Sequence, residues 1–164
     1  MARPHTVDIQ GILSGAGQVL TLHEHVPLES FEGIEFPEPA EIDLVLKCAD
    51  RILMVEGQIQ ATAAGDCDAC LEHVERQLVV EVDERLDPEI DRKADPFGEG
   101  NVLIDGKLDI ADLARQVVLT VLPMGLRCTD DCKGLCGSCG ANLNAGACAC
   151  AQNDDDTKNR ENGD

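Results

Sequence analysis

The sequence contains no tryptophan and no tyrosine, and only three of its 164 residues are phenylalanine. Proteins that stack nucleic-acid bases use aromatic side chains on a sheet, so this composition excludes such a platform. Basic residues are also scarce: 13 lysines and arginines stand against 32 acids, for a formal net charge of −19. Because nucleic-acid affinity comes mainly from clustered lysine and arginine, no broad phosphate-binding surface is expected.

Long hydrophobic runs are absent. The longest nearly apolar stretch, Val117 to Leu126, is interrupted by Thr120, Pro123 and Gly125. It is far shorter than the roughly 20 residues that span a bilayer. The N-terminus lacks the charged segment and apolar run of a signal peptide. The sequence therefore predicts a cytoplasmic protein that has no contact with a membrane.

Signals for catalysis are scarce. The glycine-containing stretch from Gly11 to Gly17 lacks the Lys-Ser/Thr ending of a phosphate-binding loop. The four histidines have no accompanying nucleophile motif. We therefore expect no enzymatic activity and no small-molecule substrate.

The length of 164 residues and the hydrophobic fraction of 43% favour one domain with an appendage. We predict a β-rich α+β domain over residues 1–126 and a small cysteine-rich, zinc-binding module at the C-terminus over residues 127–150. Residues 151–164 contain no apolar residue after Ala151 and five acids, which predicts a disordered acidic tail.

Alternating polar and apolar residues predict three strands in an antiparallel meander. They cover Glu41–Cys48, Arg51–Ala61 and Val74–Leu86, with turn chemistry at Asp50 and a bulge expected near Gly57. Residues 23–40 and 87–101 contain several prolines, glycines and acids and are expected to be mostly loop.

One principal helix is predicted after Asp109, which occupies the position of an N-cap. Ile110, Leu113, Val117 and Val121 recur at helical spacing. A proline at position 123 then ends the helix. We expect the apolar side of this helix to pack on the sheet.

Nine cysteines are the most informative feature of the composition. In a reducing cytosol, clustered cysteines more often bind metal than form disulfides. Eight of them form short-spaced pairs: Cys67/Cys70, Cys128/Cys132, Cys136/Cys139 and Cys148/Cys150. Zinc takes four thiolates tetrahedrally, and a C-x-x-C turn lets two thiolates reach one ion.

The compact quartet Cys136, Cys139, Cys148 and Cys150 is our first choice of zinc ligands. The other four cysteines could form a second site, or the first C-x-x-C pair could be free thiols in a hairpin connection. A redox dithiol at this pair is disfavoured by neighbouring acids and by the absence of a helix N-terminus. The ninth cysteine, Cys48, is expected to be a small core residue. Zinc is favoured over iron because no redox group surrounds the thiolates.

These motifs together resemble the YceD family of large ribosomal RNA subunit accumulation proteins, over roughly residues 40–150. The resemblance rests on Cys67-x-x-Cys70-Leu71-Glu72, on Asp109-Ile110 opening a helix that ends Leu122-Pro123, and on the string from Cys128 to Cys150, Cys128-x3-Cys132-Lys133-Gly134-Leu135-Cys136-x-x-Cys139-Gly140-x-Asn142-Leu143-Asn144-x3-Cys148-x-Cys150.

The resemblance implies a non-enzymatic role in the synthesis, processing or stability of 23S rRNA. Ala69 and Gly137 stand where the family commonly has arginine and proline, and the missing arginine weakens phosphate contact at this turn. Some family members lack the C-terminal cysteine string, so the metal would be an accessory to the shared activity.

We therefore expect a factor for large ribosomal subunit assembly, whose acidic residues engage a basic large-subunit protein or a pre-50S particle. Contact with rRNA would be indirect, with Arg127, Lys133 and the backbone of the cysteine-rich module as the only local candidates. The alternative is a redox or zinc-storage protein that uses its C-x-x-C thiols chemically. A third reading is a structural adaptor whose partner is unrelated to ribosomes.

Overall fold

The computed structural model describes residues 5–15 and 18–152. The chain divides into two compact units. The first comprises Met1–Ala64 and Glu75–Leu122, and the second comprises Gly65–Val74 and Pro123–Asp164. Of the tail predicted to be disordered, residues 153–164 lie outside the described residues.

The first unit is built on a four-stranded antiparallel sheet. Its strands β2, β3, β4 and β5 lie side by side in chain order and cover Val19–Val26, Ala40–Ala49, Ile52–Asp66 and His73–Leu86. The ends of β4 and β5 continue into the second unit. The three predicted strands are therefore confirmed as β3, β4 and β5, within an α+β architecture.

Strands β3 and β4 form a hairpin whose two-residue turn is Asp50-Arg51. Both turn residues have positive φ, 52° and 66°. This is the geometry of a type I′ turn, whose twist matches the flanking strands. The pairing then runs without interruption from Ala49↔Ile52 to Glu41↔Gln60. Opposite β3 there is no bulge at Gly57, because the register with that strand passes through the residue one to one.

Strand β5 shows the alternation that the sequence predicts. Leu78, Val80 and Val82 are buried, and the residues between them are exposed. Across the sheet, Ile42, Leu44 and further apolar side chains of β3 and β4 are also buried: Leu46, Leu53, Val55 and Ile59. One face of the sheet therefore lines the core, and the opposite face meets solvent.

The expectation that residues 23–40 are mostly loop is wrong for their first part. Residues Val19–Val26 form β2, which pairs with β3 from Val19↔Lys47 to Val26↔Ala40. Prolines at 27, 37 and 39 follow the strand rather than interrupt it. Leu22 and Val26 bury their side chains, so packing against β3 decides the conformation here.

Several short elements complete the first unit. Strands β1, β6 and β7 form a three-stranded sheet in the order β1-β7-β6, over Thr6–Asp8, Leu103–Ile104 and Lys107–Asp109. Helix α1 covers Gln10–Ser14. These elements have two to five residues each. Such lengths are too short to produce a detectable hydrophobic period.

The principal helix, α2, covers Ile110–Val121 as predicted. The side chain of Asp109 accepts a hydrogen bond from the backbone N–H of Asp112, 3.1 Å away, and so caps the first turn. Leu113 and Val117 of the predicted stripe are buried, whereas Val121 in the last turn is 43% exposed. None of the helices in the described ranges is long and apolar enough to cross a bilayer.

Candidate metal centres

Two tetrads of cysteine sulfurs lie within the second unit. Site 1 consists of Cys67, Cys70, Cys128 and Cys132, and site 2 consists of Cys136, Cys139, Cys148 and Cys150. Within each site the four sulfurs lie within 4.8 Å of one another. Both quartets suggested by the spacing are therefore brought together, and eight of the nine cysteines have a place in one of them.

The sulfurs of site 1 have the separation that a tetrahedral ion requires. Cys67 Sγ lies 3.8 Å from Cys132 Sγ, and Cys70 Sγ lies 3.6 Å from Cys128 Sγ. A tetrahedron with zinc–sulfur bonds of about 2.3 Å has edges of about 3.8 Å. These distances are much too long for a disulfide bond, about 2.0 Å. The arrangement fits a bound ion.

The first C-x-x-C loop connects β4 to β5 and presents two sulfurs of site 1. The backbone N–H of Leu71 donates to the Cys67 carbonyl at 2.8 Å, and the Cys67 N–H donates to the Glu72 carbonyl at 2.8 Å. Leu71 has a φ of 61°. This turn brings two cysteines three positions apart onto the same side of the loop.

The second C-x-x-C loop repeats this hydrogen-bond pattern in site 2. The N–H of Gly140 donates to the Cys136 carbonyl at 2.8 Å, and the Cys136 N–H donates to the Ala141 carbonyl at 2.8 Å. Gly140, with a φ of 71°, occupies the position that Leu71 occupies in the first loop. Two separate stretches of sequence therefore form the same turn, and each turn presents two sulfurs that could hold a metal ion.

Burial differs between the two sites. In site 1, Cys67 and Cys70 are 0% and 4% exposed, and Cys128 and Cys132 are half-buried. In site 2, Cys139 is exposed and the other three cysteines are half-buried. Site 1, our second choice from the sequence, is therefore the better shielded of the two.

The surroundings of site 1 lower the pKa of some of its thiols and raise the pKa of others. The backbone amide of Cys128, followed by that of Cys70, lowers the pKa of the Cys67 thiol to about 6. At Cys70 the amide of Glu72 favours the thiolate, but burial and the neighbouring thiols outweigh it and raise the pKa to about 12. The side-chain amide of Asn144 lowers the pKa of Cys132.

Site 2 shows the same contrast. The backbone amides of Ser138 and Cys139 lower the pKa of Cys136 to about 6. The thiol of Cys139 raises the pKa of Cys150 to about 12. Four sulfurs at such short range cannot all carry negative charge without a compensating cation. The donor set of each site therefore fits a divalent, thiophilic metal ion.

All four positions around an ion in either site would be occupied by protein sulfur. Closed tetrathiolate sites are structural, whereas catalytic zinc keeps one position for water or substrate. Zinc suits such a site because it needs no redox chemistry and takes tetrahedral sulfur ligands. Cys48, the ninth cysteine, lies on β3 outside both sites and is half-buried rather than part of the core.

Arg127 and Lys133, the candidate RNA contacts, are both exposed and directly precede or follow a cysteine of site 1. They are outnumbered by the five acids of Gly65–Val74 and residues 123–150, which are Asp66, Asp68, Glu72, Asp130 and Asp131. Four thiolates bound to one divalent ion would add further negative charge at each site. The surface of this unit therefore offers little attraction to bare phosphate.

Asn142 and Asn144, which the sequence analysis names only within the family string, form side-chain hydrogen bonds at the sites. Asn144 donates to Cys132 Sγ at 3.3 Å, and Asn142 donates to the Glu72 carboxylate at 2.9 Å. Their signal in the sequence is an Asn-x-Asn pair placed inside the loop of site 2. Nothing in the local pattern indicates that one of them reaches site 1.

Comparison with known proteins assigns this chain to a family. The chain is 28% identical over 151 residues to an uncharacterised protein of Mycobacterium tuberculosis, covering 87% of this chain and 72% of that protein. It is 25% identical over 150 residues to an uncharacterised protein of Mycobacterium leprae, covering 85% and 68%. No solved structure matches the chain. The model of the large ribosomal RNA subunit accumulation protein YceD matches residues 55–160, which include both cysteine sites, and the chain therefore belongs to the YceD family.

Proposed function

We propose that this protein is a non-enzymatic factor that supports 23S rRNA synthesis, processing or stability and the assembly of the large ribosomal subunit in the cytoplasm. Membership of the YceD family is the observation that carries this proposal. The two closed sulfur tetrads agree with it, because they supply structural sites without an open position for substrate.

Zinc is the proposed cofactor, held by four thiolates in each of the two sites. Its role is to order residues that have few apolar side chains of their own. In Gly134–Ala147, for example, Leu135 and Leu143 are the only large apolar residues, and both are half-buried. Structural zinc can contribute about 10–16 kcal/mol of apparent binding free energy, which is enough to order such a segment.

A basic large-subunit protein is the proposed partner. Glu41 on β3 and Glu81 and Asp83 on β5 point outward from the four-stranded sheet and are exposed. Asp43 and Glu56 extend this acidic face across β3 and β4, and Lys47 pairs with Glu56 at 2.7 Å. The negative charge of this face would attract a basic protein. The bound face would cover the basic surface of that protein until rRNA competes for the same surface.

Deletion of the gene tests the assembly role. We expect fewer 50S particles in a sucrose gradient, restored by the wild-type protein. An unchanged ribosome profile would refute the proposal. Reversible oxidation of Cys67 and Cys70 at a defined potential, together with that unchanged profile, would instead support the thiol-based alternative.

Charge reversal tests the acidic face. Proteins extracted from purified large subunits are passed over the immobilised chain, and each retained protein is identified by mass spectrometry. We expect retention of basic proteins to fall with ionic strength and to be weakened by Glu81→Lys with Asp83→Lys. The matched control reverses Glu32 and Glu38, which are exposed in a connection outside the sheet. Equal loss in both variants, or tight binding to protein-free 23S fragments, would contradict this partner.

A further inference from the structure

The two sulfur sites are connected by a very short piece of chain. Only residues 133–135 separate Cys132 of site 1 from Cys136 of site 2. Leu135 donates its N–H to the carbonyl of Ala69 at 3.0 Å, inside the first C-x-x-C loop. The connecting residues therefore contact site 1 at one end and enter site 2 at the other.

The loop of site 2 folds back over this connection. Between Cys139 and Cys148, Leu143 donates its N–H to the carbonyl of Gly134 at 2.9 Å, and Asn142 pairs with Leu135 in a β-bridge. The ends of this loop are defined by two ligands of site 2. An ion bound there would therefore restrain the loop against the connecting residues.

Asn144 connects the loop of site 2 to site 1 through two side-chain hydrogen bonds. Its side-chain oxygen accepts the backbone N–H of Lys133 at 2.8 Å, and its side-chain nitrogen donates to Cys132 Sγ at 3.3 Å. Because the Lys133 N–H can only donate, the oxygen of the Asn144 amide must face it, which leaves the NH₂ group facing sulfur. The orientation of the amide is thus fixed by its two partners.

A second chain of contacts reaches the other half of site 1. The Asn142 side-chain oxygen accepts the N–H of Asn144 at 2.9 Å, and its nitrogen donates to the Glu72 carboxylate at 2.9 Å. The carbonyl of Glu72 in turn accepts the Cys67 N–H at 2.8 Å. The loop of site 2 therefore supports both cysteine pairs of site 1.

We propose that the two metal sites are coupled, so that an ion in site 2 raises the affinity of site 1, with Asn144 as the positioning residue that donates to the Cys132 thiolate. Ligand-supporting hydrogen bonds of this kind typically change metal affinity 10- to 100-fold. Reciprocity requires that an ion in site 1 raises the affinity of site 2 by the same factor. This inference rests on the proposed metal binding by both sites.

The test measures zinc affinity in the full chain by competition with a chromophoric chelator, and counts bound ions by native mass spectrometry. Asn144→Ala removes the donor to Cys132 while leaving all eight ligands. Asn144→Asp keeps the acceptor for the Lys133 N–H but replaces the donor with a carboxylate. We expect both variants to weaken zinc binding at site 1 about tenfold. Ala145→Ser, an exposed change in the same loop, should have no effect.

A variant that disables site 2 completes the design. Cys148→Ser with Cys150→Ser should weaken zinc binding at site 1 by a similar factor, and adding Asn144→Ala to it should cause little further loss. A site 1 affinity that is the same in the wild-type chain and in every variant would overturn the coupling while leaving metal binding intact. No bound zinc in the wild-type chain would overturn the proposed metal centres themselves.

Discussion

Single positions decide how each C-x-x-C loop turns. Leu71 and Gly140 occupy equivalent positions after the second cysteine, with φ values of 61° and 71°. Glycine adopts this left-handed conformation freely, whereas a residue with a side chain adopts it at a cost. Leu71 is also 64% exposed, so burial of its side chain does not offset that cost. The two loops therefore reach the same geometry with different local strain.

Gly140→Ala is expected to reduce the free energy of zinc binding at site 2 by about 1 kcal/mol, because alanine disfavours positive φ. A Cβ at position 140 would meet no atom within 4 Å, so the expected loss comes from the backbone alone. Chelator competition measures it. Gly137→Ala is the control, since that glycine has equal space and no positive φ. Equal affinities for the two variants would show that backbone conformation is not the cause.

Secondary-structure elements in the first unit depend on local features that sequence patterns reveal unevenly. The alternation of β3 and β5 and the cap of α2 are visible in the sequence, and the structure confirms them. Gly57, where the sequence predicts a bulge, pairs with β3 in regular register. Its actual requirement is close approach, because a Cβ there would lie 2.0 Å from the Asp43 carbonyl oxygen of the paired strand. That contact exists only when the two strands pair, so the sequence of neither strand indicates it.

Gly57→Ala is expected to destabilise the first unit by about 3 kcal/mol or more, because the atoms it meets belong to the backbone of β3 and must shift. Gly33→Ala separates the steric contribution from that of backbone conformation. Gly33 also has a positive φ, 85°, but a Cβ added there would lie in open space. The control should cost only about 1 kcal/mol. Denaturant unfolding followed by circular dichroism gives both values, and similar losses would rule out the steric explanation.

Asp109→Ala is expected to destabilise the first unit by about 1–2 kcal/mol through loss of the helix cap. Asp109→Asn should retain most of the stability, since asparagine also accepts the N–H of Asp112. The same unfolding measurement tests this pair. If both variants lost equal stability, the charge of Asp109 rather than its capping bond would be responsible.

At the scale of the whole molecule, the two units differ in what stabilises them. The first has an apolar core in which residues such as Ile42, Leu44 and Leu108 are fully buried. In the second unit, the buried hydrophobic residues among the described positions are Cys67, Cys70 and Leu126. Hydrophobic burial can therefore maintain the first unit, whereas the second relies on its hydrogen bonds and, under the proposed zinc binding, on ligation of the sulfurs.

Removal of metal is expected to affect the units unequally. After chelation, backbone amides of residues 126–150 should lose protection from hydrogen exchange, while those of β3 and β4 keep it. Addition of zinc should restore protection. Equal order of residues 126–150 with and without metal, measured by hydrogen exchange with mass spectrometry, would contradict a structural role for the ions.

The sequence alone determined the properties that depend on neighbouring residues. Short spacing identified the four cysteine pairs, periodicity located β3, β5 and α2, and the cysteine string with its flanking residues indicated the YceD family. Such features are encoded within a few residues, because a loop or a helical turn is formed locally.

Only the tertiary structure decided that the first C-x-x-C pair meets Cys128 and Cys132. Cys70 and Cys128 are 58 positions apart, and their contact depends on where the hairpin end and the segment after α2 come together. For the same reason the sequence did not predict the role of Asn144, whose side-chain N–H donates to a sulfur of the other site. Contacts between distant segments arise from the packing of the whole chain, and the spacing within each segment carries no record of them.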